Sequence, residues 1–418
     1  MRSTKLFVGS TVVAIVVLTA LSTATRASAQ QETVLFSFNE NNTGDGISPS
    51  GTLVFDTAGN LYGTTFEGGA NGEGTVYELS PSAGGGWTQK VLHSFTDNGV
   101  DGIVPTAGLI LDASGNLYGT TTNGGAHICG TVFELKPSAH GNWTEKILYS
   151  FTCDNASEGS SGNLIFDAAG NLYGTTYGGG TYNHGSVFEL SPLPGGGWVE
   201  KTLHSFNNNG TDGYYLSAPV VMDAAGDLYG TTGDGGTYNY GIVFQLKPTS
   251  GRGWAEKILH NFNNNGTDGY NSFRSNGVVL DAAGNLYGAT FYGGASQQGV
   301  VFELRPSAGG VWSEKILHAF VVNGTDGEGP TGGLLLGSSG KLYGITEFGG
   351  SHGIGTLFEM TPAPGGNWQE SLVYTFNGEG IGAYFPNGGL VTDSSGNLYG
   401  TSQGGGAYAA GTVFEMKP

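Results

Sequence analysis

Acids, bases and imidazoles recur at fixed places along this chain of 418 residues. A Glu closes a short Val-Phe-Glu-type run at Glu78, Glu134, Glu189, Glu303, Glu359 and Glu415, and a Lys sits in the following run at Lys90, Lys146, Lys201, Lys257 and Lys315. An acid beside a base can transfer protons when their pKa values sit near the working pH. Catalysis needs one such pair, however, and a cross-strand ion pair can recur with every structural unit. The ion pair is therefore the expectation. His93, His204, His260 and His318 share one position with Tyr149, Tyr374 and Phe36, which reads as a packing site for any flat ring. His127, His184 and His352 lie in separate loops that do not converge, so no metal or cofactor site is expected. The Asn-Gly-Thr-Asp-Gly segments, such as Asn209 to Gly213, lack the alternating acids of a calcium loop and read as turns. No Gly-x-Ser-x-Gly elbow, His-Glu-x-x-His pair or phosphate-cradling loop occurs.

The elements that carry these residues repeat. Leu-Tyr-Gly begins at 61, 117, 172, 228, 286, 342 and 398, a spacing of 55 to 58 residues. Each repeat has four short apolar runs, A to D, rich in β-branched and aromatic residues, which marks strands. In the second repeat they are Gly108 to Asp112, Asn116 to Thr121, Thr131 to Leu135 and Trp143 to Phe151. An Asp-x-x-Gly-Asn turn joins A to B, a Gly-Gly loop joins B to C, and a Pro-Gly loop joins C to D. Repeats of this kind stack as propellers or solenoids. The sequence from Glu32 to Phe38 reads as a D strand with no A, B or C before it, and Gly411 to Pro418 reads as a C strand with no D after it. One strand completes the other. The expectation is an all-β, seven-bladed β-propeller with four antiparallel strands per blade, closed by the N-terminal strand in the last blade.

Composition fits. The 78 Gly and 22 Phe, 20 Tyr and 6 Trp suit short strands and tight turns and exclude a disordered polyanion. Residues 1–29 begin with Arg2 and Lys5, continue with an apolar stretch to Leu21 and end on Ala27-Ser28-Ala29, the pattern of a secretory signal peptide. They contain three basic residues and no acid, so residues 30–418, expected to form a single domain, carry about −22. Such a charge argues against a nucleic-acid partner. No second apolar segment or C-terminal anchor is seen, so a secreted or periplasmic protein with no membrane span after cleavage, and a monomer, is expected. In an exported chain Cys129, which starts strand C, and Cys153, which ends strand D of the same hairpin, are expected to form a disulfide.

The unit Gly-Asn-Leu-Tyr-Gly-Thr-Thr, then Gly-Gly, then Gly-Thr-Val-Phe-Glu-Leu, resembles the bacterial GloVer tandem repeat over all seven repeats. The resemblance implies a secreted or surface propeller with no assigned activity, often bearing a C-terminal anchor, and no such anchor is expected here. The Asp-x-x-Gly-Asn-Leu-Tyr part is also similar to turns of NHL-type and streptogramin-lyase propellers.

In a propeller the B–C loops and D–A links share one face. Here that face varies between repeats and the opposite face does not. Its aromatics concentrate in blades 3–5 as Tyr182, His184, Tyr214, Tyr215, Tyr238, Tyr240 and Phe273, beside Arg274. Flat rings with polar edges suit glycan, peptide or protein binding. The expected function is a non-enzymatic binding module. The alternatives are a secreted lyase or hydrolase working at the mouth of the central channel, and a cell-surface or adhesion component.

Overall fold

The computed structural model describes residues 31–42, 44–139, 141–153, 159, 162–251, 253–271 and 277–417. The leader-like residues 1–29, Phe273 and Arg274 lie outside them. Seven antiparallel sheets follow one another round a ring, each ordered A-B-C-D. In blade 2 the strands are Ile110–Leu111, Leu117–Thr121, Thr131–Pro137 and Trp143–Ser150. The fold is a seven-bladed β-propeller. Strand Glu32–Ser37 pairs with Thr412–Met416, with Glu32 opposite Met416 and Ser37 opposite Thr412, so the N-terminal strand closes the ring as strand D of blade 7.

The core lies between blades. Each of seven apolar clusters combines residues of two neighbours, such as Tyr62, Val76 and Phe95 of blade 1 with Leu117, Phe133 and Leu135 of blade 2. A D-strand Phe meets the C-strand ring of the next blade edge-on at every junction. Phe95 and Phe133 have centroids 5.3 Å apart, and Phe38 and Tyr77 repeat the contact across the closure at 5.1 Å. The Gly of Leu-Tyr-Gly is required by this packing. A Cβ on Gly119 would stand 2.6 Å from Cζ of Phe133.

The A–B turn is held by its Asp. Asp112 Oδ1 accepts the amides of Ser114 and Asn116, while Oδ2 accepts Asn116 Nδ2 at 2.8 Å and Tyr118 Oη at 3.1 Å. Blade 4 carries Asp227 in place of Asn and Gln245 in place of Glu, and Gln245 Nε2 donates to Asp227 at 2.8 Å. The Asn Nδ2 bond to the turn Asp seen in blade 2 gives way here to a bond between strands B and C.

Among the described residues, the expected Glu–Lys ion pair does not form at Glu78, Glu134 or Glu303. Glu78, Glu134 and Glu303 do face Lys90, Lys146 and Lys315 in register. Their ammonium groups instead donate to the carbonyls of Gly141, Gly196 and Gly366 in the C–D turn of the next blade. Glu134 and Glu303 are buried and accept from the B-strand hydroxyls of Tyr118 and Tyr287 at 2.8 and 3.0 Å. These two Glu also pair with Lys136 and Arg305 two residues along their own strand, at 3.1 and 2.7 Å, while the D-strand Lys ties neighbouring blades together.

Cys129 and Cys153 form a disulfide with Cα atoms 5.7 Å apart. Glu134 faces Lys146, and a bulge between Val132 and Phe133 shifts the register before the hairpin reaches the cysteines. They meet just beyond the last paired residues, Thr131 and Ser150.

Candidate functional site

Two kinds of side-chain assembly stand on the B–C and D–A face. The first is aromatic. Tyr215 enters with φ +61 and donates its amide to the carbonyl of His184, which turns its ring onto Tyr177. The Tyr177 and Tyr215 rings stack at 4.8 Å and 9°. Tyr214 packs edge-on to Tyr215 at 4.9 Å and lies 5.4 Å from His184. Its hydroxyl donates to Asn239 Oδ1 at 2.8 Å. The next junction repeats the pattern. Tyr270 packs on Tyr240 at 5.0 Å and Tyr292 at 5.6 Å, with its hydroxyl on Gln297 at 3.0 Å.

The expected residues therefore divide. Tyr182 and Tyr238 are about half exposed, at 53% and 52%. Tyr215 is partly exposed and part of the stack, whereas Tyr214 is buried and fastens the link to the next loop. Tyr182 lies further out, lining a groove of about 620 Å³ with His204, Asp212 and Glu256. Phe273 and Arg274 are outside the described residues. Tyr177, Asp234 and Tyr292 were not among the expected site residues because they directly follow strand B and read as strand, not loop. Burial raises the Asp234 carboxyl above its usual range. Burial also raises the Tyr177 hydroxyl, with smaller contributions from Tyr215 and Asp234. Of the large apolar side chains exposed among the described residues, only Leu193, Val199 and Val311 are away from this face or the B-strand ends that border it.

The second assembly corrects the reading of the D-strand histidines. They do pack as flat rings, His93 lying 4.7 Å from Phe95 edge-on. Each also meets two carboxylates. His93 Nε2 is 3.1 Å from Asp101 Oδ2 and 3.6 Å from Glu145 Oε1 of the next blade. The same constellation recurs as His204-Asp212-Glu256, His260-Asp268-Glu314 and His318-Asp326-Glu370. Burial pushes Glu145 up to about 8, against the pull of His93 and with a further push from Asp101. For Glu256 and Glu314 burial raises the value to about 7. Burial is the largest single influence on His93 and His260 and lowers them, but the hydrogen bond to Asp and the charges of the neighbouring Glu and Asp together outweigh it and leave both above the usual imidazole value. The signal was legible in part: where the ring is His, the next blade has Glu after Trp-x, and where it is Phe36, the next blade has Gln89.

The Gloeobacter/Verrucomicrobia repeat model matches residues 20–222 and 217–418. The chain belongs to this repeat family. No curated protein matches it. Among solved structures it is similar to the extracellular domain of a putative one-component system, BT4673, from B. thetaiotaomicron, with TM-score 0.57 and 12% identity. The match covers 92% of this chain and 40% of that one, and at this identity it speaks for the propeller fold alone. Among the described residues no helix is long and apolar enough to cross a membrane.

Proposed function

We propose that the protein is an exported, non-enzymatic binding module that takes a glycan through the B–C and D–A face of blades 3–5. The carrying observation is the stacked Tyr177–Tyr215 pair, flanked by His184 and Asp234, on the side where, with its bordering B-strand ends, most of the exposed large apolar side chains of the described residues lie. A sugar ring presents an apolar face and polar edges, and stacked tyrosines with a carboxylate beside them complement both. Peptide and protein ligands are the competing occupants. Export is supported by the leader-like residues 1–29 and by the disulfide, which persists in oxidising compartments. The net charge weighs against nucleic acid, and on this reading the chain acts as a single-domain monomer over residues 30–418. A glycan and peptide array with the mature protein tests the reading. Tyr215→Ala should weaken glycan retention about tenfold, roughly 1.4 kcal/mol, and Tyr238→Ala with Tyr240→Ala should weaken it less. Retention unchanged by all three would remove the patch from consideration.

One observation favours a hydrolase or lyase instead: Asp234, with its raised carboxyl, borders tyrosines and lies on a junction with His184. Turnover of a bound saccharide that is lost in Asp234→Asn, with binding kept, would establish that reading.

A further inference from the structure

The seven blade junctions provide an internal comparison. At the three junctions without His, the residue equivalent to Glu145 is satisfied by hydrogen bonds. Gln89 donates to Asp45 Oδ1 at 3.0 Å where the ring is Phe36. Glu32 accepts Tyr374 Oη at 3.2 Å and the Ala383 amide at 2.8 Å. Glu200, at the Tyr149 junction, accepts Thr202 Oγ1 at 3.0 Å. At all four His junctions the Glu keeps a buried Oε1 with no hydrogen-bond partner, in Glu145, Glu256, Glu314 and Glu370. Asp101 Oδ1 and His204 Nε2 are likewise buried without one. An imidazole Nε2 carries at most one proton, so it cannot serve two carboxylates. Buried polar atoms left over at one kind of junction, in every copy, point to a missing cation.

We propose that each His-Asp-Glu cluster binds a divalent transition-metal ion of the Zn²⁺ class, through His Nε2, Asp Oδ2 and a Glu carboxylate oxygen. A tetrahedral ion with bonds of about 2.0–2.2 Å holds its ligand atoms roughly 3.3–3.6 Å apart. Here Nε2 to Oδ2 is 3.1, 3.4, 3.1 and 3.2 Å, and Nε2 to the Glu oxygen, in the first three clusters, is 3.6, 3.8 and 3.4 Å. Two carboxylates and a neutral imidazole balance a divalent charge, and the imidazole favours Zn²⁺ over Ca²⁺. The Asp is held in place independently of the ion. Asp101, Asp212 and Asp326 accept the amides of Thr96, Asn207 and Val321 on Oδ2, as outer-shell contacts at metal sites do. The groove lined by Tyr182, Asn209 and Thr211 gives water and ions access to the His204 cluster and leaves the fourth position to solvent. Each ion would join one blade's D strand and D–A link to the next blade's D strand.

The test uses the mature protein, stripped with chelator and titrated calorimetrically with Zn²⁺ at pH 7.5, with Co²⁺ absorption as a second readout. Saturation is expected near four ions per chain, with the intense visible bands of tetrahedral Co²⁺. The variant His204→Phe with Glu256→Gln copies the Phe36 and Gln89 junction, which this fold already accommodates, and should lower the count from four to three. The same pair of changes at all four clusters should abolish saturable binding and the Co²⁺ bands. If the stripped protein takes up no more Zn²⁺ than that fully substituted variant, or if uptake is unchanged by the substitutions, the proposal is overturned and a proton shared between the carboxylates is left as the account of the clusters.

Discussion

The two faces of the ring solve the same problem in opposite ways. On the A–B and C–D face the A–B turns are closed by their own residues, and the C–D turns take only a single Lys from the preceding blade. Asp112, Asn116 and Tyr118 satisfy one another, and at blade 4 Asp227 accepts from Gln245 of the same blade. On the B–C and D–A face the links borrow partners from the next blade. Tyr214 reaches Asn239 and His93 reaches Glu145. Local closure leaves the polar groups of the A–B turns already satisfied. Borrowed partners leave rings exposed and carboxylates half-served, and this is where binding chemistry collects.

The comparison can be broken by perturbing each face in turn. The largest effect is expected from the disulfide, the one covalent fastener on the borrowing face. Cys129→Ser with Cys153→Ser should lower stability by about 3 kcal/mol, read by denaturant unfolding of oxidised protein. A loss below about 0.5 kcal/mol would mean that the blade 2 loop is already held by its hydrogen bonds. Asp112→Ala should cost about 1–2 kcal/mol, because Ser114, Asn116 and Tyr118 lose their common acceptor. It should leave ligand retention untouched. A change in retention would show that the self-closed face is not inert.

The ring itself was legible because its signals repeat. A single Leu-Tyr-Gly says little, but seven at near-constant spacing leave few architectures, and the unpaired D and C runs at the two ends, Glu32 to Phe38 and Gly411 to Pro418, select closure. The assemblies on the borrowing face were harder to read because they depend on proximity between blades. His93, Asp101 and Glu145 span 52 positions in the chain yet meet within a few ångströms. Tyr177 and Tyr215 belong to different repeats, and Tyr177 sits at a position that elsewhere holds Phe66, Thr122 or Gly233. A strand pattern specifies which way a residue points within its blade, not which side chain of the next blade it meets. The Glu–Lys pair failed for the same reason: both residues are placed in register, and the Lys finds a better acceptor across the junction.

The smallest expected effect, per group, is in pH dependence, and its sign differs between the faces. Burial would raise the carboxyls of Asp56, Asp112, Asp167, Asp281 and Asp393, but the hydrogen bonds of their turns outweigh it and hold them below the ordinary Asp value. A carboxyl lowered by folding contributes stability that is present above its unfolded pKa, about 3.9, and is lost as pH falls through the folded one. Glu32, Glu200 and Asp234, tied to the borrowing face or its blade junctions, are raised by burial, which the hydrogen bonds of Glu32 and Glu200 do not offset. Their contribution is present below the unfolded value and is lost as pH rises through the folded one. Melting temperature followed from pH 2 to 7 should therefore drop on the acid side in the parent protein, and drop less steeply in Asp112→Ala, which has one lowered carboxyl fewer. Asp234→Asn should leave the acid limb unchanged and flatten the decline above pH 4. Should Asp112→Ala and Asp234→Asn shift the same limb in the same direction, the division between self-closed and borrowing faces would not extend to their electrostatics.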